Sequence, residues 1–284
     1  MTDVKTDIPA ARAPREYDWQ LILGTGVLVA LCLAAIGAPL LAPYGPWELA
    51  GQPYLPPLSQ GHLLGTDTLG RDVLSGVIHG AQVSLIVGAA SAAAAILIGV
   101  IVGGLAGYFG GIVDDILMRF SEFLQTMPGL ALALVLVAVL GPSMWSVVLA
   151  IALVTWAPVA RLIRAEFLSL RSREFVLAAT VLGESHWKIM AGHMLPNALG
   201  PIISVASLKV ASGILTESTI SFLGLGDVNR ISWGMMIGVG QSNLRDAWWI
   251  SLFPGVALFA TVLALTLIAD GLPRLLGSRK QSML

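Results

Sequence analysis

Charged side chains are scarce in this sequence of 284 residues. Asp, Glu, Lys and Arg make up 12% of the chain, against about 25% in a typical soluble domain, and hydrophobic residues make up 56%. So few polar side chains cannot cover a water-exposed surface, which excludes a soluble globular protein. The formal net charge of −1 gives no reason to expect a nucleic acid as partner. The composition predicts an all-α, polytopic membrane protein surrounded by membrane lipid.

Residues that carry catalytic or cofactor chemistry are equally sparse. None of the four lysines follows a glycine, so the chain lacks the G-x-x-x-x-G-K-[ST] loop that holds nucleotide phosphates. The single cysteine, Cys32, and the four histidines show no metal-ligand spacing. We therefore predict no catalytic residue, no metal and no cofactor, and any nucleotide site must belong to another subunit.

Long uncharged runs predict six transmembrane helices. About 20 apolar residues, each rising about 1.5 Å, cross a hydrocarbon core of roughly 30 Å. Gly141-Pro142-Ser143 divides one overlong run into two spans, and Pro128 and Pro158 predict kinks. The predicted spans are residues 19–43, 84–108, 115–140, 144–162, 198–222 and 250–269.

The polar segments divide the chain further. In the proline-rich connector after the first span, Asp67 or Thr66 is expected to cap a helix whose apolar stripe begins at Val73. The predicted organisation is a tail (1–18), the first span (19–43), an extracytoplasmic connector (44–82), a five-helix core (83–272) with a polar loop (171–197), and a basic tail (273–284).

The positions of lysine and arginine predict the orientation. Six spans place both termini on one side of the membrane, and that side carries twelve of the sixteen lysines and arginines while the other carries three. Because cytoplasmic loops are enriched in these residues, both termini and the loop 171–197 are expected to face the cytoplasm.

This loop predicts two short helices separated by a glycine. Ser172 can cap a first helix over residues 173–182, Glu174 lies in its first turn, and Gly183 suits a left-handed C-terminal residue. Ser185 can cap a second, amphipathic helix, which Leu195-Pro196 is expected to end.

Small residues at the turn carry a resemblance to a known family. The order Glu174, Ala178-Ala179, Gly183, Leu195-Pro196 resembles the EAA loop of ABC-importer permeases. Together with GTDTLGRD at 65–72, SFLGLG at 221–226 and SWG at 232–234, it resembles the C-type subunit of the dipeptide/oligopeptide/nickel family. One departure is Leu177, which stands where the family usually has an acid.

The resemblance implies a function and a set of partners. In that family the loop is a coupling helix that docks into the ATP-binding subunit, so Glu174, Ala178, Ala179 and Gly183 are implied as ATPase-coupling residues. It further implies a heterodimer with a second related permease, two ATP-binding subunits and an extracytoplasmic solute-binding protein, in the cytoplasmic (inner) membrane of a prokaryote. The implied cargo is a di- or oligopeptide, with nickel or another small solute as the alternative.

Two further groups of candidate functional residues lie inside the predicted spans. Gly99, Gly103 and Gly107 recur every four residues and predict a surface for close helix packing. Lys209 and Glu217 are ionisable, and such groups cost about 2.5–3.5 kcal/mol in a span and mark an interior or aqueous path. Their separation of eight residues prevents direct pairing on one helix.

Three alternatives stay open on the residues alone. Lys209 and Glu217 are the groups that an ion-coupled secondary transporter would use. A membrane scaffold would need no transport path. The helices of the loop would equally suit a segment that lies on the membrane surface.

Overall fold

The computed structural model describes residues 19–281, with side chains described over residues 19–272. The predicted tail 1–18 and the last three residues, 282–284, lie outside the described part. The helices are α1 (Trp19–Ile36), α2 (Ala38–Leu41), α3 (Val73–Phe109), α4 (Gly111–Thr126), α5 (Gly129–Leu140), α6 (Met144–Arg171), α7 (Glu174–Val181), α8 (His186–Lys188), α9 (Leu195–Phe222), α10 (Trp233–Gly240) and α11 (Trp249–Gln281). A π-helical segment, Ile189–Met194, joins α8 to α9. Two isolated bridges, Ser59 to His62 and Thr66 to Asp72, are the only β pairing within residues 19–281. An all-α fold is therefore confirmed.

The helices have the length and composition of a polytopic membrane protein. Five are long and apolar enough to cross a membrane: Trp19–Ile36, Val73–Phe109, Met144–Arg171, His186–Phe222 and Trp249–Leu272. The pair α4 and α5 is bent by 90° and adds a sixth if it forms one span. The prediction of six spans fits the described residues when that bent pair is counted once.

The first span is interrupted near its end. Pro39 has no N–H to donate to the carbonyl of Ala35, so α1 stops at Ile36 and α2 restarts after Gly37. The side-chain amide of Gln82 in α3 donates to the orphaned Ala35 carbonyl at 2.7 Å. A side chain of the neighbouring helix therefore satisfies the carbonyl that the break exposes.

The connector joins the second span without a break. The cap of α3 is Asp72, whose carboxylate accepts from Ser75 N at 2.8 Å, so the expectation of a cap at Asp67 or Thr66 is wrong. Asp67 instead accepts from Leu69 N and Arg71 N, and Thr66 Oγ1 accepts from Leu55 N. These side chains fold the connector itself. The apolar stripe from Val73 runs directly into the predicted span as one helix of 37 residues.

The kink predicted at Pro128 is a complete break. Proline disfavours the helical conformation of the preceding residue, and Met127 is extended between α4 and α5 (ψ 140°). With 12 residues, α5 is about 18 Å long and too short to cross a core of roughly 30 Å without α4. By contrast, α6 continues through Pro158 and runs nine residues beyond the predicted end at Leu162.

The glycine ribbon of α3 lies against α6. A Cβ on Gly99 would lie 2.6 Å from Val159, one on Gly103 would meet the backbone of Ala160, and one on Gly107 would lie 2.6 Å from Phe167. Side chains larger than hydrogen therefore do not fit between these helices. The three glycines allow α3 and α6 to pack backbone to backbone, which is how helices associate in lipid.

The segment between α9 and α11 contains a helix that the sequence did not predict. Trp233 at the start of α10 is fully buried, and its Nε1 donates to Val77 O at 2.9 Å. Trp249 is also buried, and its Nε1 donates to Thr66 O at 3.0 Å. Apolar residues and three local glycines let α10 fold back against α9 and α11.

Candidate functional site

The loop between α6 and α9 is a packed helical unit. Its inward-facing side chains are nearly inaccessible and form one cluster with Ile163 and Phe167 of α6. These inward side chains are Val176, Ala179, Ile189, Met190 and Met194. Burial of this whole face holds the loop firmly to the helix that precedes it, so a force applied to the loop reaches α6.

The two helices of the loop begin where the sequence predicts, but the side-chain capping bonds expected from Ser172 and Ser185 are not formed. The first, α7, spans Glu174–Val181, within one residue of the prediction at each end. Ser172 is not its cap, because the Ser172 hydroxyl donates back to Ser169 O and the N-cap position belongs to Arg173. Ser185 is the N-cap residue of α8 but makes no side-chain capping bond.

The predicted stop at Leu195-Pro196 is wrong. The chain passes this proline through the π-helical segment, in which Leu195 N donates to Met190 O, five residues back. Pro196 then falls in the first turn of α9, where its missing N–H is not needed. Asn197 Nδ2 donates to the carbonyl of His193 at 2.7 Å. The second helix of the loop is therefore continuous with the fifth span, His186–Phe222.

Gly183 ends α7 in the predicted left-handed conformation. Its φ is +77°, Gly183 N donates to Thr180 O at 3.1 Å, and Glu184 N donates to Ala179 O at 3.1 Å. This pair of bonds is a Schellman ending, which satisfies carbonyls that the helix leaves free. A Cβ at Gly183 would meet nothing within 4 Å, so the backbone conformation, and not lack of space, requires glycine.

The outer face of the loop is apolar and exposed. We call Leu177, Val181, Leu182 and Trp187 the exposed apolar ridge; their exposed fractions are 53%, 87%, 80% and 68%. Of the implied coupling residues, Glu174, Ala178 and Gly183 are also exposed. Ala179 is not, with 6% of its surface accessible, because it packs against the chain's own core. Ala179 therefore supports the ridge from beneath.

Polar links stiffen the turn behind this ridge. The Glu184 carboxylate accepts from Lys188 Nζ at 2.9 Å and lies 2.8 Å from His193 Nε2. Hydrogen bonds from Lys188 and then His193 lower the pKa of the Glu184 carboxyl below its ordinary value. Farther along, His186 Nδ1 lies 2.8 Å from the hydroxyl of Tyr108 at the end of α3. The loop is thus tied to α3 as well as α6.

The ammonium group of Lys209 lies against a helix irregularity. Lys209 Nζ donates to the carbonyl of Thr155 at 3.2 Å, one turn before Pro158 of α6. A proline inside a helix cannot donate to the carbonyl four residues back, which for Pro158 is that of Val154. Lys209 binds the neighbouring carbonyl, that of Thr155, and no carboxylate of residues 19–272 forms an ion pair with it.

Glu217 lies in a cage of serine hydroxyls, with 2% of its surface accessible. Its carboxylate accepts from Ser221 at 2.7 Å, from Ser84 at 3.1 Å and from Ser218 at 3.4 Å. Ser84 also accepts from the backbone N–H of Trp233 at 3.3 Å. Glu217 therefore links α3, α9 and the buried start of α10, and it does not contact Lys209.

Two polar contacts between helices were not predicted from the sequence. Arg164 binds Asp114 through Nε and a terminal nitrogen, each at 2.5 Å, and joins α6 to α4 across fifty residues. An acid and a base near the ends of adjacent predicted spans are a weak signal for such a pair. Tyr108 and His186 carry no sequence signal, because only the packing of α3 on the loop brings them together. Within residues 19–272, His, Cys, Asp and Glu side chains form no group of three that could hold a metal.

Comparison with known proteins identifies the family. Residues 95–282 match the family described as "Binding-protein-dependent transport system inner membrane component". The chain belongs to this family. The resemblance to ABC-importer permeases is therefore confirmed, and the packed loop and bent spans described above are those of a transport-system membrane component.

Curated relatives cover most of the chain. It is 38% identical over 251 residues to the probable D,D-dipeptide transport system permease protein DdpC of Escherichia coli K12, covering 88% of this chain and 84% of that protein. It is 37% identical over 252 residues to the dipeptide transport system permease protein DppC of Bacillus subtilis 168, covering 88% and 78%. It is 37% identical over 253 residues to the di/tripeptide transport system permease protein DppC of Pseudomonas aeruginosa UCBPP-PA14, covering 87% and 83%.

Proposed function

We propose that this chain is a permease subunit that moves di- or oligopeptides through the cytoplasmic membrane of a prokaryote, driven by ATP hydrolysed on partner subunits. The names of the relatives support peptides over nickel or another small solute. Membership of a binding-protein-dependent family supports ATP-driven import over ion-coupled secondary transport or a scaffold role.

The proposed complex has several partners. A second related permease pairs with this chain, two ATP-binding subunits dock from the cytoplasm, and a solute-binding protein delivers the cargo outside. The termini and the loop 171–197 face the cytoplasm, which is supported by the excess of lysine and arginine on that side. The connector 44–82 then lies outside, on the side of the binding protein.

The observation that carries the proposal is an exposed apolar ridge on a firmly held loop. Apolar groups such as Val181 and Leu182, exposed at 87% and 80%, are typical of a protein contact once a partner covers them. Behind the ridge the loop packs on α6, is bonded to α3 through Tyr108, and continues through the π-helical segment into α9. Closure of the ATP-binding subunits would therefore rotate three spans together, a rigid-body transition that alternates access.

The implied coupling residues divide into two roles. Glu174 and Ala178 are exposed and are proposed to touch the ATP-binding subunit, together with Leu177, which adds apolar contact where the family usually has an acid. Ala179 and Gly183 set the shape of the contact: Ala179 seats α7 on the core, and Gly183 supplies the left-handed turn.

Charge substitutions on the ridge test this proposal. We expect Val181→Asp and Leu182→Asp to abolish co-purification of the ATP-binding subunits and ATP-dependent peptide uptake in proteoliposomes, while Val181→Ile retains both. Val228→Asp is the matched control for co-purification, because Val228 is 62% exposed but lies in the segment before α10. Co-purification and uptake that persist in both ridge variants would contradict the coupling role.

A further inference from the structure

A polar stripe runs along the middle of α9. Lys209, Ser212, Thr216 and Thr219 follow one another at intervals of three, four and three residues, which places them on one face of the helix. Ser212 is exposed and the other three are half-buried, so the chain itself does not cover this face. The hydroxyls of Thr216 and Thr219 donate to their own helix, at Ser212 O and Leu215 O, and keep free acceptor positions.

Such a face is unsuited to lipid. An ammonium group at membrane depth is costly and is found facing a bundle interior or a water-filled cavity. Lys209 Nζ has three N–H donors and, within the described residues, a single acceptor at Thr155 O. The site therefore holds a positive charge with unused hydrogen-bonding capacity.

Lys209 and its acceptor Thr155 lie at the depth of the membrane midplane. Lys209 lies thirteen residues before the end of α9, and Thr155 lies eleven residues after the start of α6. At about 1.5 Å per residue both are roughly 17–20 Å from the outer helix ends, near the middle of the membrane. The break between α4 and α5 is at the same level, since a Cβ on Gly129 would lie 3.0 Å from Val154. Broken helices at the midplane are typical of transport sites.

We propose that Lys209 is a specificity-determining residue of the transport path, where its ammonium group binds a carboxylate of the transported peptide. The peptide carboxylate replaces the neutral Thr155 carbonyl as acceptor, because a charge-assisted bond is the stronger of the two. Ser212, Thr216 and Thr219 line the path toward the outer end of α9 and offer hydroxyls to the passing peptide. This inference rests on the proposed function, because it requires a peptide as cargo.

Peptide uptake by the reconstituted transporter tests whether the positive charge of Lys209 is required. With Ala-Ala and Ala-Glu as probes, we expect Lys209→Met to lower uptake about tenfold, the effect of losing one hydrogen bond to a charged group, and Lys209→Arg to retain most of it. Each variant is compared with wild type for the same peptide, so any preference of the binding protein cancels. ATPase stimulation by the loaded binding protein should change little in either variant.

The outcomes separate this inference from the proposed function. No peptide uptake by the wild-type transporter would overturn the proposed function. Wild-type uptake with Lys209→Met unchanged would overturn the role of Lys209 alone. The role of Lys209 would also be overturned if Lys209→Met and Lys209→Arg lost peptide uptake equally and both lost ATPase stimulation. That result would show that Lys209 is needed for the structure of the transporter and not for binding the peptide.

Thiol labelling tests the path independently of transport. In a Cys32→Ser background, which removes the sole cysteine, we expect Ser212→Cys to react with a charged, water-soluble thiol reagent and to be protected by Ala-Ala. Val29→Cys is the control, because Val29 is 50% exposed on α1 and lies on a face expected to meet lipid. Equal inertness of Ser212→Cys and Val29→Cys in the assembled transporter would overturn the aqueous path.

Discussion

The hydroxyl of Tyr108, at the end of α3, lies 2.8 Å from Nδ1 of His186, at the start of α8. The two rings also meet edge to face, with centroids 5.5 Å apart. This contact connects the loop that carries the exposed apolar ridge to α3, a membrane helix of 37 residues. A movement of the loop is therefore transmitted to α3 through this contact.

Removing that hydroxyl should weaken coupling without unfolding the protein. We expect Tyr108→Phe to lower peptide uptake per ATP hydrolysed by about threefold, because one neutral hydrogen bond is lost while the ring contact stays. Tyr54→Phe is the control, since Tyr54 lies in the connector and is 44% exposed. An unchanged ratio of uptake to hydrolysis in Tyr108→Phe would show that this bond carries no coupling.

The serine cage around Glu217 predicts a large effect on stability. Glu217→Ala removes the shared acceptor of Ser84 and Ser221 and leaves a cavity, so we expect a loss of about 2–4 kcal/mol in the unfolding free energy of the purified subunit. Glu217→Gln keeps the shape and an acceptor oxygen, and should lose less. Glu122→Ala, at an exposed acid of α4, is the control. Equal unfolding temperatures for Glu217→Ala and Glu122→Ala would contradict the structural role.

Local signals predicted much of this fold. Uncharged runs located the spans, and the interruption by Pro128 and the left-handed turn at Gly183 follow from backbone chemistry that a sequence displays directly. The α3 cap was misplaced because Asp67 and Asp72 are equally suited to capping, and only the folded connector decides between them. Pro196 was misread as a stop because a π-helical register has no sequence signature.

Contacts between distant elements were not predictable in the same way. Glu217 was recognised as an interior acid, but its partners come from α3 and α9, and its link to Trp233 requires α10 to fold back into the protein. Lys209 was recognised as a charge within a span, but its acceptor depends on how α9 crosses α6 near Pro158. The periodicity of a sequence identifies the polar or apolar face of a helix, but only the packing of the folded protein shows which other helix contacts that face.

The ionised Glu184 carboxylate predicts a pH dependence of the loop. Bonds from Lys188 and His193 lower its pKa in the folded protein, so its contribution to stability is present above the ordinary value of 4.5 and is lost as the pH falls through the lowered value. We expect Glu184→Gln to be less stable than wild type at pH 7, with the difference shrinking below pH 4.5. Thermal unfolding of both proteins from pH 7 downward measures this. A constant difference at all pH values would contradict it.

Gly183 and Gly26 together separate backbone strain from crowding. A Cβ on either glycine would meet nothing within 4 Å, but only Gly183 has a positive φ, whereas Gly26 lies within α1. We expect Gly183→Val to cost about 1–2 kcal/mol and to reduce uptake, and Gly183→Asn to cost less because asparagine tolerates the left-handed region. Gly26→Ala should instead stabilise α1 by about 0.5–1 kcal/mol. Thermal unfolding and uptake are measured on the same preparations. If Gly183→Asn and Gly183→Val impaired uptake equally at unchanged stability, a partner surface pressed against the turn, and not its φ, would explain the glycine.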